Sequence, residues 1–562
     1  MTVALWGSER DPVRIGVSGG SVPSRERFDV SVVLRRAQAD GVDRLEDLIA
    51  RTPWDRWRLD RRAFAAAYGA TPQDVNAVRD FAADAKLEVV SSSLGRRTIV
   101  LRGTAGQHRR AFGVRLTRQA VRHRSFRVRT GPVTVPDELA EIVEAVLGLD
   151  ERPQARPYVR RAAAASTTGF TPPEVAHLYD FPTGVTGAGE CIGLIELGGG
   201  FDPDALARYF SELEVSMPRI EAVSVDGAEN APRAGSAAPD EEVALDIALA
   251  GAIAPGARIA VYFAPNTDRG FFDALTTAIH DTVRRPSVIS ITWGASEEAW
   301  TLQAARAFNE ALKAAAAIGV TVCCATGDRG SSDGAGDGFA HVAFPASSPF
   351  ALACGGTRMT AAHHRITGEV VWNDGRRGAS GGGISDLFDV PSWQVNCAVP
   401  RSVNPPRRNG RGVPDVAANA SPETGYRIPI GARGRVVGGT SAVSPLWAGL
   451  VARLNEAVGS SIGYINPLLY QRAAPRGCFR DVTDGNNGAY AAAAGWDACS
   501  GLGVAIGDRL LESIGPQASA PRGLVEALKT VDGVQDPEQP IQADDAERPT
   551  VGPWAPAARD DG

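Results

Sequence analysis

Residues 257–294 read ARIAVYFAPNTDRGFFDALTTAIHDTVRRPSVISITWG. The apolar run RIAVYF breaks at Pro265-Asn266-Thr267, and FFDALTTAIH then repeats apolar residues at helical spacing. After Arg284-Arg285-Pro286 a second apolar run, VISI, begins. Neither run alternates polar with apolar residues, so each reads as a strand covered on both faces. The stretch between them is long enough to be a crossover helix. A strand–helix–strand unit of this kind predicts a parallel sheet.

The pattern extends in both directions. CIGLIE (191–196) is another buried strand, DALARYFSELE (204–214) a helix, and GVTVCCATGD (319–328) a strand that follows a helix ending near residue 317. The fold class expected for 171–515 is therefore α/β, a doubly wound and mostly parallel sheet, with chemistry at the carboxyl ends of its strands. The N-terminal 1–150 reads as a separate α+β unit. FDVSVVLRR is a strand, GVDRLEDLIAR and DRRAFAAAYGATPQDVNAVRDFAADA are helical, and LEVVSSSLGRRTIVLRG is two strands around a turn. VPDELAEIVEAVLGL (135–149) is expected to be an amphipathic helix. Residues 151–170, rich in Pro, Arg, Ala and Ser, read as an exposed linker, and the Pro-rich acidic 516–562 as a mostly disordered tail.

Composition narrows the function. Hydrophobic content of 44% with 22% charge suits a soluble globular protein, and 562 residues are too many for one core. No run is long and apolar enough to cross a membrane. MTVALWGSERDPVRIG is not a recognisable secretory signal, so the signal lies elsewhere, export is non-standard, or the protein stays inside. The net charge of −6 hides an asymmetry: residues 1–165 hold 29 Lys+Arg against 20 Asp+Glu, and the remainder 30 against 45. Opposite charge on two parts of one chain suits an internal partner. The arginines are scattered and not gathered in a stripe with aromatics, which argues against nucleic acid. The seven cysteines form no zinc or redox pattern, and their number is odd; Cys478 and Cys499 flank one loop and could bridge.

Three stretches carry candidate chemistry. GGTSAVSPLWAG (438–449) presents Ser441 at a turn into a helix, where a serine is either a nucleophile or an N-cap. A nucleophile needs a base, yet none of the histidines (108, 123, 177, 280, 341, 363, 364) sits in the His-Gly-Thr helix start that subtilisin-like proteases use. In PDEEVALDIALAGAIAPGA, Glu242 and Asp246 are four apart and share a helix face. Paired acids are usually at a surface, but this helix is otherwise nearly all Ala, Leu, Val and Ile. Burying such a pair carries a cost that function commonly explains. In CCATGDRGSSDG a buried strand ends at Gly327-Asp328, which is an active-site position in such sheets or simply a turn aspartate.

Together, in this order and spacing, these motifs resemble the sedolisin family of serine-carboxyl peptidases, and within it the kumamolisin-like branch. The resemblance covers the N-terminal unit as a propeptide and 166–515 as the catalytic part. It implies a subtilisin-like catalytic fold (171–515) preceded by a small ferredoxin-like propeptide domain (1–150) and an activation linker (151–170). Ser441 matches the nucleophile, Glu242 the general base, Asp246 the acid that orients it, and Asp328 the acid of the oxyanion hole. Glu196 in IELGGG and Trp293 in SITWG match the outward extension of the hydrogen-bond network. Ala343 in HVAFPASSP stands where the branch tends to carry an aspartate that selects basic residues before the scissile bond. Weaker preference for Arg or Lys there is therefore expected. Ser380, Gly381 and Gly382 of SGGGIS match a substrate-cleft or structural signature, as does RGVPDVAANA (411–420). Arg329, where small residues are more usual, alters the charge beside Asp328. A calcium site is implied at Asp481, the Val482 carbonyl, the Ala493 and Gly495 carbonyls and Asp497, with alanine at one usually glycine position; all-oxygen ligands suit calcium.

The expected function is an acid-acting, autoprocessed endopeptidase, because a protonated Asp328 donates a hydrogen bond and an ionised one cannot. Its optimum is expected below about pH 5. Implied partners are protein or peptide substrates and the chain's own propeptide. Neither nucleic acid nor membrane is expected, the expected state is a monomer, and the resemblance implies secretion. Two alternatives remain: a tripeptidyl-type exopeptidase, separable by product length, and an inactive binding homologue, separable by active-site titration.

Overall fold

The computed structural model describes residues 1–10, 17–37, 45–50, 59–121, 124–162, 169–232, 238–429 and 435–515. His123, part of the linker (163–168) and the tail (516–562) lie outside the described residues. Among those described, no helix is long and apolar enough to cross a membrane.

The N-terminal unit is built from strand β1 (Arg27–Leu34), helices α1 (Arg61–Tyr68) and α2 (Pro72–Asp84), strands β2 (Glu88–Ser93) and β3 (Thr98–Thr104), helix α3 (Ala105–Phe112) and strand β4 (Val143–Leu147). Its antiparallel sheet has the order β2-β3-β1-β4, which is the split βαβ arrangement of a ferredoxin-like domain. Helix α3 starts at a capping box, Thr104 with Gln107, and ends at Gly113 in the left-handed region. One expectation is corrected here. Residues 137–139 form a single 3-10 turn, and VEAVL is strand β4, not helix. Its Val143, Ala145, Val146 and Leu147 are buried, and it pairs with β1 along Ser31–Leu34. An edge beside a ready partner strand outweighs the helical spacing of Leu139, Ile142 and Val146.

The larger unit is one ten-stranded sheet. Its strands are β5 (Cys191–Glu196), β6 (Ile220–Ser224), β7 (Arg258–Phe263), β8 (Val288–Ile291), β9 (Thr321–Ala325), β10 (Leu352–Ala362), β11 (Arg365–Val371), β12 (Val416–Asn419), β13 (Phe479–Arg480) and β14 (Val504–Ala505). The order is β6-β7-β5-β8-β9-β10-β12-β14-β13, with β11 antiparallel on β10 and β13 antiparallel on β14; the remaining pairs are parallel. Chain order reverses at β5, since β7 lies on one side of it and β8 on the other. That topological switch opens a crevice at the carboxyl ends of β5 and β8. The site-bearing helices are α4 (Ala238–Ile253), α5 (Asp268–His280), α6 (Leu302–Ile318) and α7 (Val443–Val458). Residues 241–253 of α4 are all buried. A helix apolar on every side belongs in a core.

The two units meet where the ferredoxin-like domain rests on α5 and α6. Ser31 donates to Asp273 at 2.8 Å, Arg96 pairs with Asp273 at 3.2 Å, and Arg36 pairs with Glu310 at 3.1 Å. Arg61 donates to the carbonyls of Ile279 and Pro286, both at 2.7 Å, the first of them at the negative end of α5. The cations come from the basic unit and the anions from the acidic one, as the charge asymmetry predicts. The cysteines are free, Cys478 and Cys499 included, which corrects the suggestion of a bridge between them.

Candidate active site

Ser441 follows a short strand (Arg435–Gly438) through Gly439 and lies in a 3-10 turn, Thr440–Ala442, that runs into α7. It makes no side-chain cap, so the N-cap reading fails. Gly439 has φ +104, and a Cβ there would stand 1.9 Å from the Tyr158 carbonyl oxygen and 2.7 Å from Asp328 Oδ2. Only glycine lets the chain pass between them. Ser444 ties the start of α7 to the sheet, meeting Ser290 Oγ at 2.7 Å and donating to the Cys323 carbonyl at 3.0 Å. The Ser441 hydroxyl donates to the Thr292 carbonyl at 3.4 Å. Among the described residues no histidine is hydrogen-bonded to it.

Glu242 and Asp246 are fully buried one turn apart on α4. Asp246 Oδ2 accepts from the Thr292 hydroxyl at 2.8 Å, and Glu196 Oε2 accepts from Trp293 Nε1 at 2.9 Å. Burial pushes all three carboxyls well above the ordinary range; the Asp246 charge adds to the effect at Glu242, the Glu242 charge at Glu196 and the Glu196 charge at Asp246, while the hydrogen bond with Asp246 opposes the shift at Glu196. The Ser441 and Thr292 hydroxyls oppose the shift at Glu242. The result is a row of acids at the mouth of β5 and β8 that burial and mutual charge keep from ionising together.

Asp328 follows β9, reached through Gly327, whose φ is +101. Its Oδ1 accepts from the Thr440 amide at 2.8 Å and the Thr440 hydroxyl at 2.9 Å. Burial raises its pKa to about 6, against the opposing pull of Arg160 and Thr440. Arg160 Nε reaches Asp328 Oδ2 at 3.2 Å.

That arginine belongs to the stretch expected to be an exposed linker, and here the expectation is corrected. Residues 156–157 pair antiparallel with Trp293–Gly294, and 160–161 pair antiparallel with Val437–Gly438. The segment runs through the crevice, with Tyr158 only 1% exposed. Arg156 pairs with the Asp333 carboxylate and donates to its carbonyl at 3.0 Å, and Arg161 pairs with Glu241 at 2.6 Å. Composition alone read these arginines as solvated; each instead meets an acid of the crevice.

A profile of the activation domain of pro-kumamolisin matches residues 16–152, and a profile of the subtilase family matches 227–473. The chain is 48% identical over 534 residues to kumamolisin from Bacillus sp. (strain MN-32), covering 92% of this chain and 96% of that protein. The chain belongs to the sedolisin family of serine-carboxyl peptidases. It is a serine-type peptidase carrying its own propeptide. Tripeptidyl-peptidase sed5 of Aspergillus fumigatus is 29% identical, over 86% of this chain and 92% of that one. The structure of Pseudomonas sedolisin, a serine-carboxyl proteinase, matches with a TM-score of 0.56 and 27% identity, covering 62% of this chain and 98% of that chain.

The remaining residues picked from sequence fall in three places in this sedolisin-family chain. Ala343 is buried beside Tyr158 and Ala325 in the crevice. Ser380, Gly381 and Gly382 lie behind the loop that carries Asp328: Gly381 donates to the Gly327 carbonyl at 2.8 Å, and Ser380 Oγ accepts from Gly356 at 2.9 Å. Arg411 and Asp415 form a fully buried ion pair that also engages Tyr470 and Asn466, a structural role. Sequence reading passed over Thr292 and Thr440, whose hydroxyls and backbone bind the acids, because an isolated threonine at a strand end carries no signal of its own.

The five residues expected to bind calcium lie on two loops that hydrogen bonds tie together. Asp481 Oδ2 accepts from Gly495 at 2.7 Å, Asp497 Oδ2 from Ala493 at 3.1 Å, and the Val482 carbonyl from Ser500 Oγ at 3.4 Å. Among the described residues no three His, Cys, Asp or Glu side chains gather as a metal cluster. Two carboxylates with three carbonyls need no such trio, and the oxygen-only donor set fits a calcium ion.

Proposed function

We propose that this peptidase is an acid-acting endopeptidase made as an autoprocessed zymogen, with Ser441 as nucleophile. The observation that carries the reading is the gathering of Ser441, Glu242, Asp246 and Asp328, all fully buried, beneath a segment of the same chain. Glu242 takes the Ser441 proton as the hydroxyl attacks the scissile carbonyl. Asp246, fixed by Thr292 and by the Glu196–Trp293 pair, orients Glu242 and supports its charge. The tetrahedral oxygen receives hydrogen bonds from the Ser441 amide and a protonated Asp328. The proton on Glu242 then passes to the leaving amine, and water hydrolyses the acyl-enzyme by the reverse sequence.

Endopeptidase action is favoured over a tripeptidyl type by the cleft itself. The bound segment continues on both sides of Ser441, and upstream of Arg156 the Gln154 and Ala155 amides are still held by Asn266 at 2.9 and 3.0 Å. A site built to cut after three residues would close there. The test is product length on an unstructured protein at acid pH: internal fragments of many sizes are expected, and a ladder of tripeptides would overturn the reading.

Acid also releases the propeptide in this proposal. His280, at the end of α5, sits against Phe64 of the propeptide. Its pKa is lowered to about 3 by burial and by propeptide Arg96, Arg36, Arg61 and Arg97. The bound state keeps His280 neutral, so binding is strongest above about pH 6.5 and weakens up to ~10-fold per unit as pH falls through the interval down to about 3. Within the propeptide, His108 is buried on Phe28 with its pKa lowered to about 4, so the domain loses stability in the same direction. His280→Gln is expected to slow activation at pH 5 by about 3- to 10-fold, read as the lag before a peptide substrate is hydrolysed. An unchanged lag would remove His280 from this role.

Asp481, Asp497 and the carbonyls of Val482, Ala493 and Gly495 are proposed to hold one structural Ca2+, which would pin the C-terminal loops together. Chelation is expected to lower Tm by about 5–10 °C, with calcium restoring it and Asp481→Ala abolishing the effect. The reading includes action outside the cell on protein or peptide substrates, supported by the resemblance to the sedolisin family.

A further inference from the structure

We propose that the maturation bond is Tyr158–Val159, and that Tyr158 marks the residue class this enzyme takes before the scissile bond: a planar aromatic. The inference rests on the peptidase reading above and deepens it.

The bond is fixed by register. Arg156 and Pro157 are paired with Gly294 and Trp293, and Arg160 and Arg161 with Gly438 and Val437. Residues 158 and 159 span the gap between these two ladders. The Tyr158 amide donates to the Thr292 carbonyl at 3.3 Å, the same oxygen that accepts the Ser441 hydroxyl. The Tyr158 carbonyl oxygen lies against Gly439, on the side where Asp328 Oδ2 also approaches. One peptide unit thus has its amide beside the nucleophile and its oxygen toward the proposed oxyanion acid. Attack forms a Ser441 Oγ–Tyr158 ester bond and breaks the Tyr158–Val159 C–N bond. The serine proton, carried by Glu242, goes to the Val159 amine, and a water then releases Tyr158 as a carboxylate.

The pocket is read from what surrounds the ring. Tyr158 packs on Ala325 and Ala343. A Cβ on Gly294 would stand 2.6 Å from the Tyr158 hydroxyl, and one on Gly327 would stand 3.7 Å from Cε1. Four of the smallest residues therefore leave a slot for a ring. The hydroxyl is buried with no hydrogen-bond partner among the described residues, so the slot selects the ring and not its polar tip. Phenylalanine should do as well as tyrosine, whereas arginine would bring its charge against Ala343 in a slot whose nearby carboxylate, Asp333, is already paired with Arg156. Asp333 adds a second determinant by holding Arg156, the third residue before the bond.

The experiment follows the full-length chain at pH 4 by intact mass and N-terminal sequencing, beside Ser441→Ala, Tyr158→Phe, Tyr158→Ala and Tyr158→Arg. The first new ends are expected at Tyr158 and Val159, with Tyr158→Phe processed within about threefold of wild type and the Ala and Arg variants at least ~10-fold slower at that bond. First cleavage elsewhere, equal rates for all four residues at 158, or no self-cleavage in a chain that still hydrolyses other peptides would overturn the proposal. If Ser441→Ala gives the same ends at the same rate, the serine-peptidase reading fails instead. A peptide series ARPXVRR given to the processed enzyme separates pocket preference from linker folding: Phe and Tyr at X should exceed Ala and Arg by at least ~10-fold, and a preference for Arg would overturn the aromatic pocket.

Discussion

Ser441→Ala is expected to lower self-processing and peptide hydrolysis by about 10⁶-fold, and Glu242→Gln by about 10⁴-fold or more. The two roles are inseparable: without a base the hydroxyl keeps its proton, and without the hydroxyl the base has nothing to activate. The double variant should therefore be no slower than Ser441→Ala alone, because groups that act as a unit do not add. Glutamine keeps the shape and polarity of Glu242 on a helix buried all round, so its loss is expected to fall on kcat with the fold retained. The measurement is single-turnover hydrolysis together with a melting curve for each variant. Full activity in Glu242→Gln would mean that another group takes the proton.

The second large effect concerns Asp328 and pH. Its pKa is raised to about 6 by burial, although Arg160 pulls it down. In the proposed role the protonated form donates to the developing oxyanion; this form is complete well below that pKa and is lost as pH rises through it. Asp328→Ala should cost about 10²–10³ in kcat at pH 4, the usual effect of removing one such donor. Asp328→Asn carries an N–H donor at every pH. It is expected to recover part of that loss and to remove the decline in kcat expected of the wild type above about pH 6. A decline unchanged in Asp328→Asn would assign it to a different group. Stability follows the same sign. With its pKa raised from near 4 to about 6, an ionised Asp328 at pH 8 costs the fold ~3 kcal/mol relative to the unfolded chain. Glu297, raised to about 7 by burial, adds to this.

In the zymogen, the same Arg160 that occupies the crevice counters Asp328 protonation. The propeptide segment thus blocks the site by position and restrains it by charge, and both effects end when the linker leaves. In the proposed mechanism acid loosens the domain contacts at His280 while it protonates Asp328, so a single change in the medium would act on release and on chemistry together.

The sequence by itself determined the architecture of the sheet and singled out the polar residues proposed for the site. Fully apolar strands such as RIAVYF and VISI can only be buried on two faces, and a helix as apolar as EEVALDIALAGAI can only be internal. Its two acids, Glu242 and Asp246, are therefore costly on sequence grounds alone. What sequence misread was decided by neighbours in space. VEAVL has helical spacing, but β1 offers it an unpaired edge, and backbone pairing won. The Arg- and Pro-rich 151–162 has the composition of a solvated linker, yet Asp328, Asp333 and Glu241 receive its arginines and a slot between Gly294 and Ala343 receives Tyr158. Composition reports what a segment would do in water. Only the tertiary structure supplies the acids and the cavity that make burial of this segment cheaper than solvation.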